Sequence, residues 1–562
     1  MSHGYWKDLL NILALETVGE LSDISSPSTF LHAPRDAYTY PNSRKSDKRG
    51  DPASRIEAAR LANDQAKKGA AEKRKLRLRQ MHDRLVRKLL EPKFKALFIA
   101  VARLFTDQLL KDKQVLIDLD ILGPGEDRIA HLRKLSLAGK WAPTPGGSHD
   151  RVTNIATAIS ELLYASQALP AYPSVLQTPV SEVERAHVLR SFYQRWILTE
   201  LRRNLCCPEP LMSANRWTEI KYSRVPSLCM QNCKELFFKH DPTGFEQFLI
   251  AVENGKKKIS GATLLPHELV AEIIQFERVM TGTSSKYSAL DEFKKKVAET
   301  QIRVIEAQWK TLINNLRESG SIENSIAICD VSGSMGYLGE KFDKKHVQPI
   351  LPAVSLSLIL ASLAKPPFCG GFVTFSAEPQ FVTVDLDQEL SKQVGRIANS
   401  DWGMNTNFSS VFLDLLLPLA VKHQIKQEDM IKRLFVFSDM QFDDAEDSSS
   451  SKPDAWETNH DVIEKAYKKA GYEVPEVVYW DLSADGGPRT KETADSKKTG
   501  VAMMNGFSPA MLKVFMGEEE LTDEWEKVGE DGGVVEKDVF NPVNVMMKAL
   551  MKTSFDGLVV VD

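Results

Sequence analysis

Apolar residues Leu85, Leu89, Leu90, Phe94, Leu97, Phe98, Val101 and Leu104 recur at intervals of three and four. That spacing predicts a helix with one buried stripe. Residues 53–112 read as helical throughout, with Pro92 the lone proline inside. The same period predicts helices over 152–164, 181–204 and 290–317. The last carries the stripe Phe293, Val297, Ile302, Ile305, Trp309, Leu312 and Leu316. Residues 135–151 hold two prolines and a Gly pair and read as a loop. Residues 22–52 are rich in Ser, Pro, Asp and Arg without periodicity, and read as a loop or disordered insert. Residues 1–318 are thus expected to form an irregular helical-repeat domain.

The pattern changes near residue 319. Ile326, Ala327, Ile328 and Cys329 form a short continuous apolar run, the signature of a strand buried on both faces. Similar runs fall at 433–437, 476–481 and 501–504, with a strand pair over 370–384. Helical patterns over 346–364, 386–398, 408–420, 456–471, 509–516 and 541–551 lie between or after them. Alternation of this kind predicts a doubly wound sheet over 319–562, so the whole chain is α plus α/β. At 562 residues, more than one domain is expected.

Chemistry gathers at the end of the first strand. Asp330, Ser332 and Ser334 follow it at a spacing of two, and Gly333 lets the backbone turn between the serines. Open α/β sheets keep their sites at this edge. A carboxylate with two hydroxyls is a hard oxygen set suited to Mg²⁺, or to Mn²⁺ or Ca²⁺. The plainer alternative is a strand end followed by a Ser helix cap. Residues 401–407 form a Gly-containing loop, and 434–440 a second apolar strand ending in Ser-Asp-Met. Asp-x-Ser-x-Ser, then Thr, then Asp resembles the metal-ion-dependent adhesion site of von Willebrand factor A domains. Matched residue by residue, the resemblance implies ligands Asp330, Ser332, Ser334, Thr406 and Asp439. Ser-Asp-Met stands where that site commonly has Thr-Asp-Gly. Such a site would stay close to neutral and keep a position open for a partner's Asp or Glu.

Net charge is −4, but it is divided. Residues 1–318 hold 49 Lys and Arg against 37 Asp and Glu, whereas residues 319–562 hold 23 against 39. A basic helical half is the part that could meet nucleic acid, although attraction between domains explains it equally. Lys67, Lys68, Lys73, Arg74, Lys75, Lys221, Arg224, Lys256, Lys257 and Lys258 are candidate RNA contacts on charge alone. Exposed lysine on a solvated helix is the ordinary reading of each. Six irregularly spaced cysteines suit reduced thiols. Cys229 and Cys233, with His240 downstream, lack a fourth ligand for zinc and read as buried thiols. No apolar run reaches membrane length, and Lys7 and Asp8 stand where a signal peptide would be apolar. A cytoplasmic or nuclear protein is expected.

Residues 139–143 (Gly-Lys-Trp-Ala-Pro), 223–225, 258–262 (Lys-Ile-Ser-Gly-Ala) and 329–335 carry a further resemblance. Together they resemble an uncharacterised family of eukaryotic and large-virus proteins. Those have a helical part followed by a von Willebrand A-like part. The domain order is more distantly similar to the Ro autoantigen (TROVE-module) proteins, whose helical ring binds small noncoding and misfolded RNA. The expected function is a non-enzymatic scaffold binding RNA, a divalent cation and a protein partner. A protein-only interaction module is the alternative. A metal-dependent hydrolase is a third reading, lacking an obvious general base, since His346 and His423 fall on predicted helices.

Overall fold

The computed structural model describes residues 5–19, 51–122, 127–169, 176, 181–261, 263–281, 288–320, 322, 324–340, 342–343, 346–366, 368–375, 379–398, 410–440, 455–483, 500–516 and 540–551. Two compact units are present, Met1–Asn215 and Arg216–Asp562.

The first unit is helical among its described residues. Its main helices are α1 (Trp6–Val18), α2 (Pro52–Lys88), α3 (Pro92–Ile121), α4 (Ile155–Ala165) and α5 (Glu182–Phe192). The core joins Leu10 and Leu13 of α1 to Phe94, Phe98, Val101 and Phe105 of α3 and to Ile155 and Ile159 of α4. The single helix expected over 53–112 is two. Pro92 lacks an amide hydrogen, so it is accepted at the first turn of α3 and ends the run before it. The break leaves Leu90, 80% exposed, in the connection, and Leu104, 48% exposed, falls to the side of the α3 face that buries Phe94, Phe98, Val101 and Phe105. Most of α2 is solvated; Leu85, near its carboxyl end, is buried.

In the second unit α6 (Ser227–His240), α7 (Pro242–Glu253), α8 (Pro266–Thr281) and α9 (Ser288–Arg317) precede the sheet. The strands are β1 (Ser325–Asp330), β2 (Gly371–Phe375), β3 (Gln380–Thr383), β4 (Arg433–Ser438), β5 (Glu476–Asp481) and β6 (Val501–Asn505). They form one sheet in the order β3-β2-β1-β4-β5-β6. All pairs are parallel except β2 with β3, the hairpin expected over 370–384. Helices α10 (Ile350–Leu363), α11 (Leu390–Ala398), α12 (Leu417–His423), α13 (Ala455–Ala470) and α14 (Pro542–Leu550) complete the described elements used below.

The compact units divide after Asn215, inside the stretch expected to be helical. The reason is α10, every residue of which is buried. A helix buried all round needs cover on both sides. One side packs on β1, and the other on α8 and α9, so Leu269, Val270, Ile305, Trp309 and Leu312 share one core with the strands. Arg317 donates from Nη2 to the Ser362 carbonyl at 3.0 Å, and Glu306 accepts the Leu390 and Ser391 amide hydrogens at 2.9 and 3.1 Å. Strand patterning marks where the sheet begins, not where its core begins. Gly261, in the 258–262 segment, lies against α9. A Cβ there would sit 2.4 Å from the Gln308 carbonyl oxygen.

Candidate cation site at the sheet edge

The strand order changes direction between β1 and β4. From β1 the chain builds outward to β2 and β3, then returns to add β4, β5 and β6 on the other side. Loops leaving the carboxyl ends of β1 and β4 therefore diverge and open a crevice, where ligands of doubly wound sheets bind. Asp330 ends β1, and Asp439 follows β4 directly. Register pairs Cys329 with Phe437, which brings both carboxylates to that crevice.

Five hydrogen bonds build the site. Asp330 Oδ1 accepts the Ser332 amide hydrogen at 2.9 Å, turning the chain after the strand. Asp330 Oδ2 accepts the Ser438 hydroxyl at 2.6 Å, a charge-assisted bond joining β1 to β4. Ser438 Oγ in turn accepts the Met440 amide hydrogen at 3.0 Å. The Asp439 amide donates to the Met335 sulfur at 3.2 Å, a second tie between the loops. Ser332 Oγ and Ser334 Oγ lie 3.1 Å apart. Asp330, Ser332 and Asp439 are buried and Ser334 is exposed, so the set runs from the interior to the surface. Met440 has φ +61°, left-handed backbone that favours glycine, where the resembled pattern commonly places Gly.

Electrostatics show what the crevice lacks. Burial pushes the Asp330 carboxyl up to about 6, and nearby Asp439 adds to the rise against hydrogen bonds from Ser438 and Ser332. Its partners are neutral donors, and no Lys or Arg ion pair to it occurs among the described residues. A divalent cation would supply the missing positive charge. Hard oxygens from two carboxylates and two hydroxyls are the chemistry Mg²⁺ accepts. Among the described residues no cluster of three His, Cys, Asp or Glu could hold a metal, so hydroxyls would have to complete the shell. Thr406 lies outside the described residues. Sequence reasoning missed Ser438 and Met335 as ties between the loops. A hydroxyl directly before the second carboxylate was the available signal for Ser438; nothing marked the methionine sulfur.

The other candidates divide between units. Lys67, Lys68, Lys73, Arg74 and Lys75 are exposed on α2 in the first unit. Lys221, Arg224, Lys256, Lys257 and Lys258 are exposed in the second. Tyr222, between Lys221 and Arg224, packs on Phe248 at 5.6 Å, and Lys257 Nζ lies 6.0 Å from the same ring, so these basic residues share a neighbourhood. Cys229 and Cys233 are half-buried on α6 rather than buried. His346 and His423 are exposed, and His346 lies before α10 rather than within it. No helix of the described residues is long and apolar enough to cross a membrane.

A family profile described as domain of unknown function (DUF2828) matches residues 1–322, and another described as domain of unknown function (DUF7788) matches 324–550. An uncharacterized protein of Acanthamoeba polyphaga mimivirus is 28% identical over 431 residues, covering 74% of this chain and 63% of that protein. The chain therefore spans less than two thirds of that relative's length. No solved structure matches.

Proposed function

We propose, for a chain that belongs to the DUF2828 family, that the sheet unit is a cation-dependent docking module of the von Willebrand factor A type. Ser332, Ser334 and Thr406 would hold a divalent cation, with Asp330 and Asp439 ligating directly or through water. The cation would offer its open position to a carboxylate from a protein partner. Two carboxylates balance the ion's charge, so an acidic group is still attracted.

The observation that carries this reading is the Ser438–Asp330 bond. It ties two strand ends at the crevice and leaves a buried, raised carboxylate without a cationic side chain. The strand order, with its antiparallel outer strand, supports the same fold type. Docking is preferred to hydrolysis because no imidazole hydrogen-bonds the Ser332 or Ser334 hydroxyl among the described residues. The test is a Mn²⁺ titration followed by electron paramagnetic resonance. One bound ion per chain, lost in Asp330→Ala with Asp439→Ala, is expected. Equal binding by the double variant would refute the site.

The second reading is RNA binding through α2. The specific observation is five exposed cations, Lys67, Lys68, Lys73, Arg74 and Lys75, on a solvated helix. The first unit also holds 33 Lys and Arg against 24 Asp and Glu. Together the readings describe an intracellular scaffold of the Ro type, with the protein-only module as the outcome if RNA does not bind.

A further inference from the structure

The geometry points to a second anchor for the docked partner, on a rim made by residues 336–340 and Arg278. It rests on the cation-docking reading and names the partner class: an acidic protein segment carrying two carboxylates.

The rim is built rather than loose. Met335 is buried, and the chain turns outward at Gly336, φ +90°, where a Cβ would lie 2.8 Å from Gln348 Oε1. The same Oε1 accepts the Tyr337 amide hydrogen at 3.1 Å, while Gln348 Nε2 donates to the Glu340 carboxylate. One side chain thus holds the segment at two points. The Tyr337 side chain at the first point is 57% exposed, three residues beyond the exposed Ser334.

Arg278 reaches this segment from the last turn of α8. Leu269, Val270 and Ile273 lock that helix into the core, so the arginine stands on a rigid element. Its guanidinium occupies the space left by Gly339. A Cβ on that glycine would lie 2.6 Å from Nη2. Arg278 is exposed, and no carboxylate pairs with it among the described residues. The neighbouring Glu340 is engaged by Gln348. A planar fork of donors at Gly339, two residues along the chain from the exposed Tyr337, matches the residue types that anchor protein partners. A cation at Ser332 and Ser334 with an open coordination position and a guanidinium at Gly339 make two carboxylate-binding points on one short stretch of chain. A segment with a single carboxylate satisfies one of them; a segment with two satisfies both.

The experiment measures binding of fluorescein-labelled Gly/Ser peptides to the full chain in Mg²⁺ by anisotropy. One peptide carries a single Glu, and a set carries two Glu separated by one to five residues. Arg278→Gln should weaken the best two-Glu peptide by about three- to tenfold, as expected for an exposed charge-assisted contact. The single-Glu peptide should be unaffected. Arg278→Glu should regain binding when the second Glu of the peptide is replaced by Lys, with Mg²⁺ still required. If Arg278→Gln binds the two-Glu peptide as wild type does while chelation abolishes binding, the rim inference is overturned and the docking reading stands. If chelation changes nothing, or no peptide binds in Mg²⁺, the docking reading falls and the rim with it.

Discussion

Asp330→Asn should stabilise the metal-free protein while abolishing its response to magnesium. Asp330 is fully buried, and its carboxyl rises from 3.8 to about 6. At pH 7.5 the folded state therefore carries a buried charge costing about 3 kcal/mol relative to the unfolded chain. The sign follows from the direction of the shift. A carboxyl raised on folding leaves stability intact below 3.8, and stability is lost as pH climbs through about 6. Asparagine removes the charge and keeps the shape. Its oxygen can accept the Ser332 amide hydrogen, and its amide can donate to Ser438 Oγ. The value of about 6 already includes the hydrogen bonds from Ser438 and Ser332, so they do not reduce the gain again. A stabilisation of up to about 3 kcal/mol in chelator is expected at pH 7.5, shrinking toward pH 4. Mg²⁺ at ten times its Kd should stabilise the wild type by about 1.4 kcal/mol and the variant by nothing. Thermal unfolding with chelator and with Mg²⁺, at pH 7.5 and pH 5, reads all four arms. A variant several degrees less stable than wild type in chelator at pH 7.5 would refute the reasoning, because Asp330 would then be satisfied without a cation.

Three further outcomes are expected. Met440→Gly relieves left-handed strain of about 1 kcal/mol but uncovers a side chain only 8% exposed, so chemical denaturation should show a net loss of about 1 kcal/mol. Glu306→Ala removes the acceptor for the Leu390 and Ser391 amides and should cost about 2 kcal/mol in the same assay, with Glu306→Gln recovering part. If α2 binds RNA, changing Lys73, Arg74 and Lys75 to Gln should lower the slope of log affinity against log salt by about 2 for a single strand; an unchanged slope removes α2 from the contact.

The sheet was legible because buried parallel strands are continuous apolar runs bounded by polar loops. Ile326–Cys329 and Leu434–Phe437 follow that form, and the switch point turned their last carboxylates into neighbours. Ser438 was harder to read, since a serine at a strand end has many possible partners and its bond to Asp330 spans 108 positions. That α8 and α9 share the core of the sheet was not legible at all. It depends on which surface covers α10, and a helix buried all round has no periodicity to show how many neighbours it needs. The stripe through α3 was read correctly at Phe94, Phe98 and Val101; it failed at Leu90, which precedes the break at Pro92, and at Leu104, which lies to the side of the buried face.

The most direct measurement of the central claim is a crystal structure of the full chain grown in MnCl₂, with data collected at the manganese edge. One anomalous peak within about 2.2 Å of the Ser332 and Ser334 hydroxyls and the Thr406 hydroxyl, flanked by Asp330 and Asp439, is the predicted result. A crevice holding no manganese, or Thr406 turned away from it, would contradict the account.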